Sequence, residues 1–153
     1  MRGAGALAAL TLALAGCGSS SAPSVSPATQ RAQVRSTLRA FMREFAAADG
    51  TAVCDRLTSR GQESVIQTIG PELTHFGING CAPVVRVTAL QLTRKQRREL
   101  RQATVGAVAL NGPNATVPWS EISSPGGDVA AYFGRSKPIS LVQSNGTWLI
   151  DSL

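Results

Sequence analysis

Apolar residues in this chain keep a helical spacing up to Ala103 and an alternating one beyond it. Side chains share a helix face about every 3.6 residues and a strand face every second residue, so the switch divides a helical half from a sheet half. Helices followed by meandering strands predict an α+β fold: N-terminal helices packed on one face of a curved C-terminal antiparallel sheet.

In the first half, Val34, Leu38, Phe41, Met42 and Phe45 fall on one stripe of residues 28–48. That spacing predicts a long amphipathic helix, with Gly50 as its stop. Residues 51–57 predict a short second helix carrying Cys54, and Ser59 with Gln62 and Glu63 predicts a capped third helix reaching Ile69. Gly70-Pro71 breaks it, and residues 71–80 read as a loop holding His75, the chain's single histidine. The valines of 81–92 permit helix or strand, with helix preferred, and Thr93 with Gln96 has the form of a capping box.

In the second half, residues 104–110, the Asn111-Gly112 turn and residues 115–119 predict a hairpin, with Pro118 marking a sheet edge. Residues 120–128 read as a polar loop. A last hairpin is predicted from 139–142, Asn145-Gly146 and 148–150.

The N-terminus has a different character. Arg2 precedes an apolar run, 4–14, that is too short to span a bilayer and suits an export signal. The following Leu14-Ala15-Gly16-Cys17 resembles the lipobox of bacterial lipoproteins, which implies cleavage before Cys17 and a diacylglyceryl group on its sulfur. Ordinary secretion, with Cys17 left as a free thiol, is the alternative. The resemblance divides the chain into a signal peptide (1–16), the lipidated Cys17 with a Ser/Pro tether (17–27) and a single α+β domain (28–153). Two acyl chains anchor a protein stably where one does not, so the expected location is the extracytoplasmic face of the cell membrane. Lipidation of Cys17 leaves Cys54 and Cys81 as an even pair in an oxidising compartment, and a disulfide between them is expected. A metal site lacks clustered His and Cys ligands, and neither metal nor cofactor is expected.

The formal charge is +6, and without Arg2 the balance is 14 Lys and Arg against 9 Asp and Glu. Arg31, Arg35, Arg39 and Arg43 repeat every four residues, and Arg94, Arg97, Arg98 and Arg101 crowd one turn. These are either solvated flanks whose stems cover apolar surface or contacts to an anionic surface. An exported, membrane-bound chain meets lipid headgroups and wall polymers, so no nucleic-acid partner is expected.

The order of these elements, with Phe41-Met42-Arg43-Glu44-Phe45, Asp49-Gly50, Cys54-Asp55-Arg56-Leu57-Thr58, Cys81, Leu92-Thr93 and the closing Trp148-Leu149-Ile150-Asp151, resembles small lipoproteins of high-GC Gram-positive bacteria. Their domain is similar to the nuclear-transport-factor-like or SnoaL-like (cystatin-like) cone, a curved sheet wrapped around a long N-terminal helix. That resemblance implies a cavity lined by Phe41, Phe45, Trp119, Tyr132 and Trp148. Isomerases and dehydratases of that superfamily use an Asp or His base with Tyr or Asp donors. Only His75, Tyr132 and a few carboxylates such as Asp55 could serve here, and no spacing among them defines a catalytic set. The expected function is a non-catalytic module holding a small apolar ligand or an envelope protein. The alternatives are a cone-fold isomerase or dehydratase, and an envelope-contact protein using the basic helix faces.

Overall fold

The computed structural model describes residues 25–126, 129–133 and 137–153; the segment expected as a signal peptide, Cys17 and the expected tether as far as residue 24 lie outside them. Among the described residues six α-helices precede six strands: α1 (Pro27–Ala46), α2 (Gly50–Asp55), α3 (Ser59–Ile69), α4 (Pro71–His75), α5 (Cys81–Gln91), α6 (Arg94–Arg101), β1 (Thr104–Val105), β2 (Ala109–Asn111), β3 (Asn114–Val117), β4 (Ile122–Ser123), β5 (Ile139–Ser144) and β6 (Thr147–Ser152). The protein is α+β, with two antiparallel sheets in the C-terminal part: β1 pairs with β4, and the other strands run in the order β2-β3-β5-β6.

Ser26 starts α1 by accepting a hydrogen bond from the Thr29 N–H at 3.2 Å, with Pro27 preset for the first turn. The predicted stripe is the buried face: Val34, Leu38, Phe41, Met42 and Phe45 are each at most 1% exposed. Phe41 and Phe45 meet Phe133 at centroid distances of 5.7 and 5.0 Å, and Trp119 stacks on Phe133 at 5.5 Å. Leu100, Ile139, Leu141 and Ile150 pack into the same core.

Gly50 is not the helix stop. Helix α1 ends at Ala46, Asp49 caps α2 by accepting from the Ala52 N–H at 3.1 Å, and Gly50 opens α2. A Cβ there would lie 2.1 Å from the Ala82 carbonyl oxygen, so glycine is required because α2 and α5 approach backbone to backbone. The Cys54–Cys81 disulfide joins the same two helices, with Cα atoms 6.1 Å apart. Thr58 rather than Ser59 caps α3; its hydroxyl accepts from the Gly61 N–H at 3.0 Å and donates to Asp151 of β6 at 2.8 Å. The segment expected as a loop after Gly70 begins with one helical turn, α4, because proline is well suited to open a helix. Residues 81–91 take the helical alternative, and Thr93 and Gln96 form the capping box.

The strand expected over 104–110 is broken. Glu121 takes the backbone out of register: its carbonyl accepts from the Gly106 N–H at 2.8 Å and its carboxylate from the Ala107 N–H at 2.6 Å. Its two ends therefore join different sheets as β1 and β2. Strand β3 is interior, between β2 and β5, and Pro118 falls just beyond its end, so the proline marks no edge and removes no ladder bond. Trp119 sits in a 3₁₀ turn (Trp119–Glu121) rather than a strand, and the polar loop contains β4. The β5–β6 turn is as expected, with positive φ at both Asn145 (50°) and Gly146 (79°).

Among the described residues no helix is long and apolar enough to cross a membrane. The disulfide closes a loop between residues 27 apart, which in the chain-entropy treatment stabilises the fold by about 3 to 4 kcal/mol. Replacing both cysteines by alanine is expected to remove about that much in denaturant unfolding, and a loss under about 1 kcal/mol would show that α2 and α5 hold together without the bond.

Candidate functional site

The helix that builds the core also carries a polar flank. Gln33, Ser36 and Thr37 project from α1 beside the β5–β6 turn, and with Arg56, Gly146, Thr147 and Trp148 they line an open groove of about 230 Å³. The Thr37 hydroxyl donates to the Trp148 carbonyl at 3.4 Å, and the Ile150 N–H donates to the Arg56 carbonyl at 2.8 Å. The groove wall is thus tied to β6 from both sides.

Arg56 forms a two-bond fork with Glu44 of α1, Nε to Oε2 and Nη2 to Oε1, both at 2.5 Å. The bond to Glu44 holds the guanidinium pKa above its ordinary value, against the opposing effect of partial burial. The pair is neutral as a whole, so it contributes shape and dipoles to the groove rather than net charge.

Two groove residues have buried polar atoms without a protein partner: Gln33 Oε1 and the Trp148 indole Nε1. Trp148 is 2% exposed. Swapping the ends of the Gln33 amide would exchange one unpaired atom for the other kind and leave the deficit. An unmatched buried donor or acceptor costs about 1 to 3 kcal/mol, which a ligand or water that supplies the missing partner offsets. The Trp148 indole is part of the hydrophobic core, and the core Trp119 Nε1 is unmatched as well, so the acceptor of Gln33 is the unmatched atom that belongs to the groove's polar wall, where no nucleophile and base are brought together.

A second polar feature lies at the other end of the helical layer. Glu99 of α6 is 5% exposed, and its Oε2 accepts from the Tyr132 hydroxyl at 2.7 Å. Lys95 Nζ stands 3.8 Å from Oε1, and a Cβ on Gly126 would stand 3.0 Å from the same oxygen. Burial first, then the bond and charge of Glu99, push the Tyr132 pKa up to about 12. Sequence reasoning missed Glu99, although it is a lone carboxylate in a basic segment, four residues after Lys95 and next to apolar Leu100.

The expected cavity residues separate into three places. Phe41, Phe45 and Trp119 come together around Phe133 as packed core. Trp148 lines the groove, and Tyr132 is half-buried on Glu99. His75 and Asp55 are exposed. Of the arginines, Arg35 donates to the Gly106 carbonyl at 2.8 Å and Arg97 to the Leu90 carbonyl at 3.0 Å. Arg31, Arg39, Arg43, Arg94, Arg98 and Arg101 are exposed. Among the described residues no three His, Cys, Asp or Glu side chains gather as a metal site would require.

Comparison with family models, with curated proteins and with solved structures finds no match to this chain.

Tyr132 is the single tyrosine of the chain, so alkaline absorbance titration reads it alone. The folded protein should ionise near pH 12 rather than near 10, and Glu99→Gln should bring the midpoint down. Because the folded pKa is the higher one, this contribution to stability is fully present below about pH 10 and is lost as pH rises toward 12. An ordinary midpoint near 10 in the native protein would mean that the Tyr132 hydroxyl is neither withdrawn from water nor bonded to Glu99.

Proposed function

We propose that this chain is a lipid-anchored extracytoplasmic binding module, without catalysis of its own, that holds a small hydrogen-bonding ligand in the α1–β6 groove. The observation that carries the ligand site is a groove lined by Gln33, whose side-chain oxygen is unmatched, and by Trp148, whose indole donor is unmatched at its edge of the core. Such a pair favours a neutral molecule bearing both donors and acceptors over the apolar ligand expected from sequence. The anchor rests on the lipobox resemblance at Leu14-Ala15-Gly16-Cys17, and the membership of a SnoaL-like lipoprotein group rests on the residue pattern quoted above. The cone is the finer form of the fold; a long α1 packed on β6 and the small helices supports it.

A second reading, a cone-fold isomerase or dehydratase, draws on the buried carboxylate of Glu99 beside Tyr132. That chemistry needs the two groups to face a substrate across a dry space. Here they bond directly to each other, an arrangement suited to holding the 129–132 turn (Val129–Tyr132) on α6.

The chain has two tryptophans, so its indole N–H signals in a proton–nitrogen spectrum distinguish the groove from the core. In a screen of neutral sugars, polyols and small amides, a ligand of the groove should move the Trp148 signal and leave Trp119 in place. Gln33→Leu should weaken that ligand by about tenfold, the worth of one hydrogen bond to a buried group. A screen in which nothing moves Trp148, or in which both indoles move together, would reject the groove as the site. The anchor has its own check: protein extracted from membranes should begin at Cys17 with the added mass of a diacylglyceryl group.

A further inference from the structure

Helix α1 has two flanks beside its buried stripe. At about 100° per residue, Thr37 lies roughly 160° around the helix from Arg35 and Arg39, whereas Ser36, also of the groove, lies only about 20° from Arg43, so the groove and the arginines occupy neighbouring flanks that meet at Ser36 and Arg43. Contacts agree with that geometry: Thr37 reaches β6, whereas Arg35, on the arginine side, reaches Gly106 just after β1. Helix α6, which leads into β1, packs against α1, as β1 does.

Helix α6 buries Glu99 and Leu100 and turns Arg94, Arg98 and Arg101, at helical spacing, to solvent. Together α1 and α6 carry nine of the chain's 15 Lys and Arg but only Glu44 and Glu99 as acids. Both acids are engaged, Glu44 by Arg56 and Glu99 by Tyr132 and Lys95. The ion pairs among the described residues are Arg56–Glu44, Arg60–Asp151 and Lys95–Glu99. None of them involves Arg31, Arg39, Arg43, Arg94, Arg98 or Arg101. Like charges four residues apart destabilise a helix unless something offsets them, so this face is incomplete as it stands in water.

We propose that the exposed arginines of α1 and α6 form a docking face for anionic phospholipid headgroups, on which the domain lies with its groove on the adjoining flank of α1. The proposal rests on the anchor reading for its setting. Nine residues, 18–26, separate Cys17 from α1, a reach of at most about 30 Å. Arg31 follows the start of α1 by about one turn, and α1 itself is about 30 Å long. A lipid at Cys17 would therefore keep the whole basic face within reach of headgroups, where each arginine is attracted by the negative surface. Arg35 and Arg97, tied to backbone carbonyls, are supports of the face rather than its contacts.

The test uses the chain from residue 17 with Cys17→Ser, so that no acyl group takes part. Vesicles of phosphatidylglycerol mixed with phosphatidylcholine should bind it, vesicles of phosphatidylcholine alone should not, and raising salt from about 50 to 300 mM should lower partitioning by about tenfold. Arg39→Gln with Arg98→Gln should lower it by about tenfold as well, whereas Arg60→Gln with Arg86→Gln, an equal loss of charge elsewhere, should lower it by less than about threefold. All four side chains are exposed, and circular dichroism confirms folding of each variant. Equal losses in the two variants, equal binding to neutral vesicles, or binding of soluble polyphosphate without vesicle binding would each overturn the proposal, the last in favour of a wall polymer. Failure here counts against the docking face alone, while an unmodified Cys17 in native protein counts against the anchor.

Discussion

The burial of one stripe of α1 is the interaction on which the rest of the molecule depends. Val34, Leu38, Phe41, Met42 and Phe45 are withdrawn almost wholly from water, and the Phe133 and Trp119 rings close over them. Removing such side chains from water contributes about 1.5 to 3 kcal/mol each, so the five together outweigh any single polar contact in the protein. Once that stripe is fixed against the sheet, the helix has no freedom to rotate, and its remaining faces acquire assigned neighbours. The Gln33 and Thr37 flank meets β6, and the arginine flank meets β1 and α6.

Close backbone approach supports this arrangement at two points. Gly50 lets α2 touch α5 where the disulfide joins them, and Gly61 lets α3 touch β6, where a Cβ would stand 2.3 Å from the Ile150 carbonyl oxygen. The second contact is reinforced by Thr58, whose hydroxyl serves the α3 cap and Asp151 at once. These short elements need such fastening because helices of six to eleven residues are marginal by themselves.

Periodicity made α1 legible, and cap or turn residues marked α3, α6 and the β5–β6 hairpin, because these signals are local. The errors arose where a distant residue decides. Gly50 looks like a stop until Ala82 is seen against it, and residues 104–110 look like one strand until Glu121 captures the Gly106 and Ala107 amides. The site was less legible than the fold. Trp148 was expected in a cone cavity with Phe41 and Phe45 rather than beside this groove, Gln33, Thr37 and Arg56 matter only through their position beside the turn, and Glu99 was concealed by the charges around it.

In the proposed reading, recognition and attachment fall on neighbouring flanks of one helix, which would give a tethered protein an orientation as well as a location. The most direct measurement of that claim is paramagnetic broadening of backbone amides in the native lipidated protein, on anionic nanodiscs doped with a gadolinium-headgroup lipid. Amides of Arg39 and Arg98 should broaden strongly while those of Thr37, Gly146 and Thr147 broaden less. Uniform broadening, or stronger broadening along the groove than along the arginines, would contradict it.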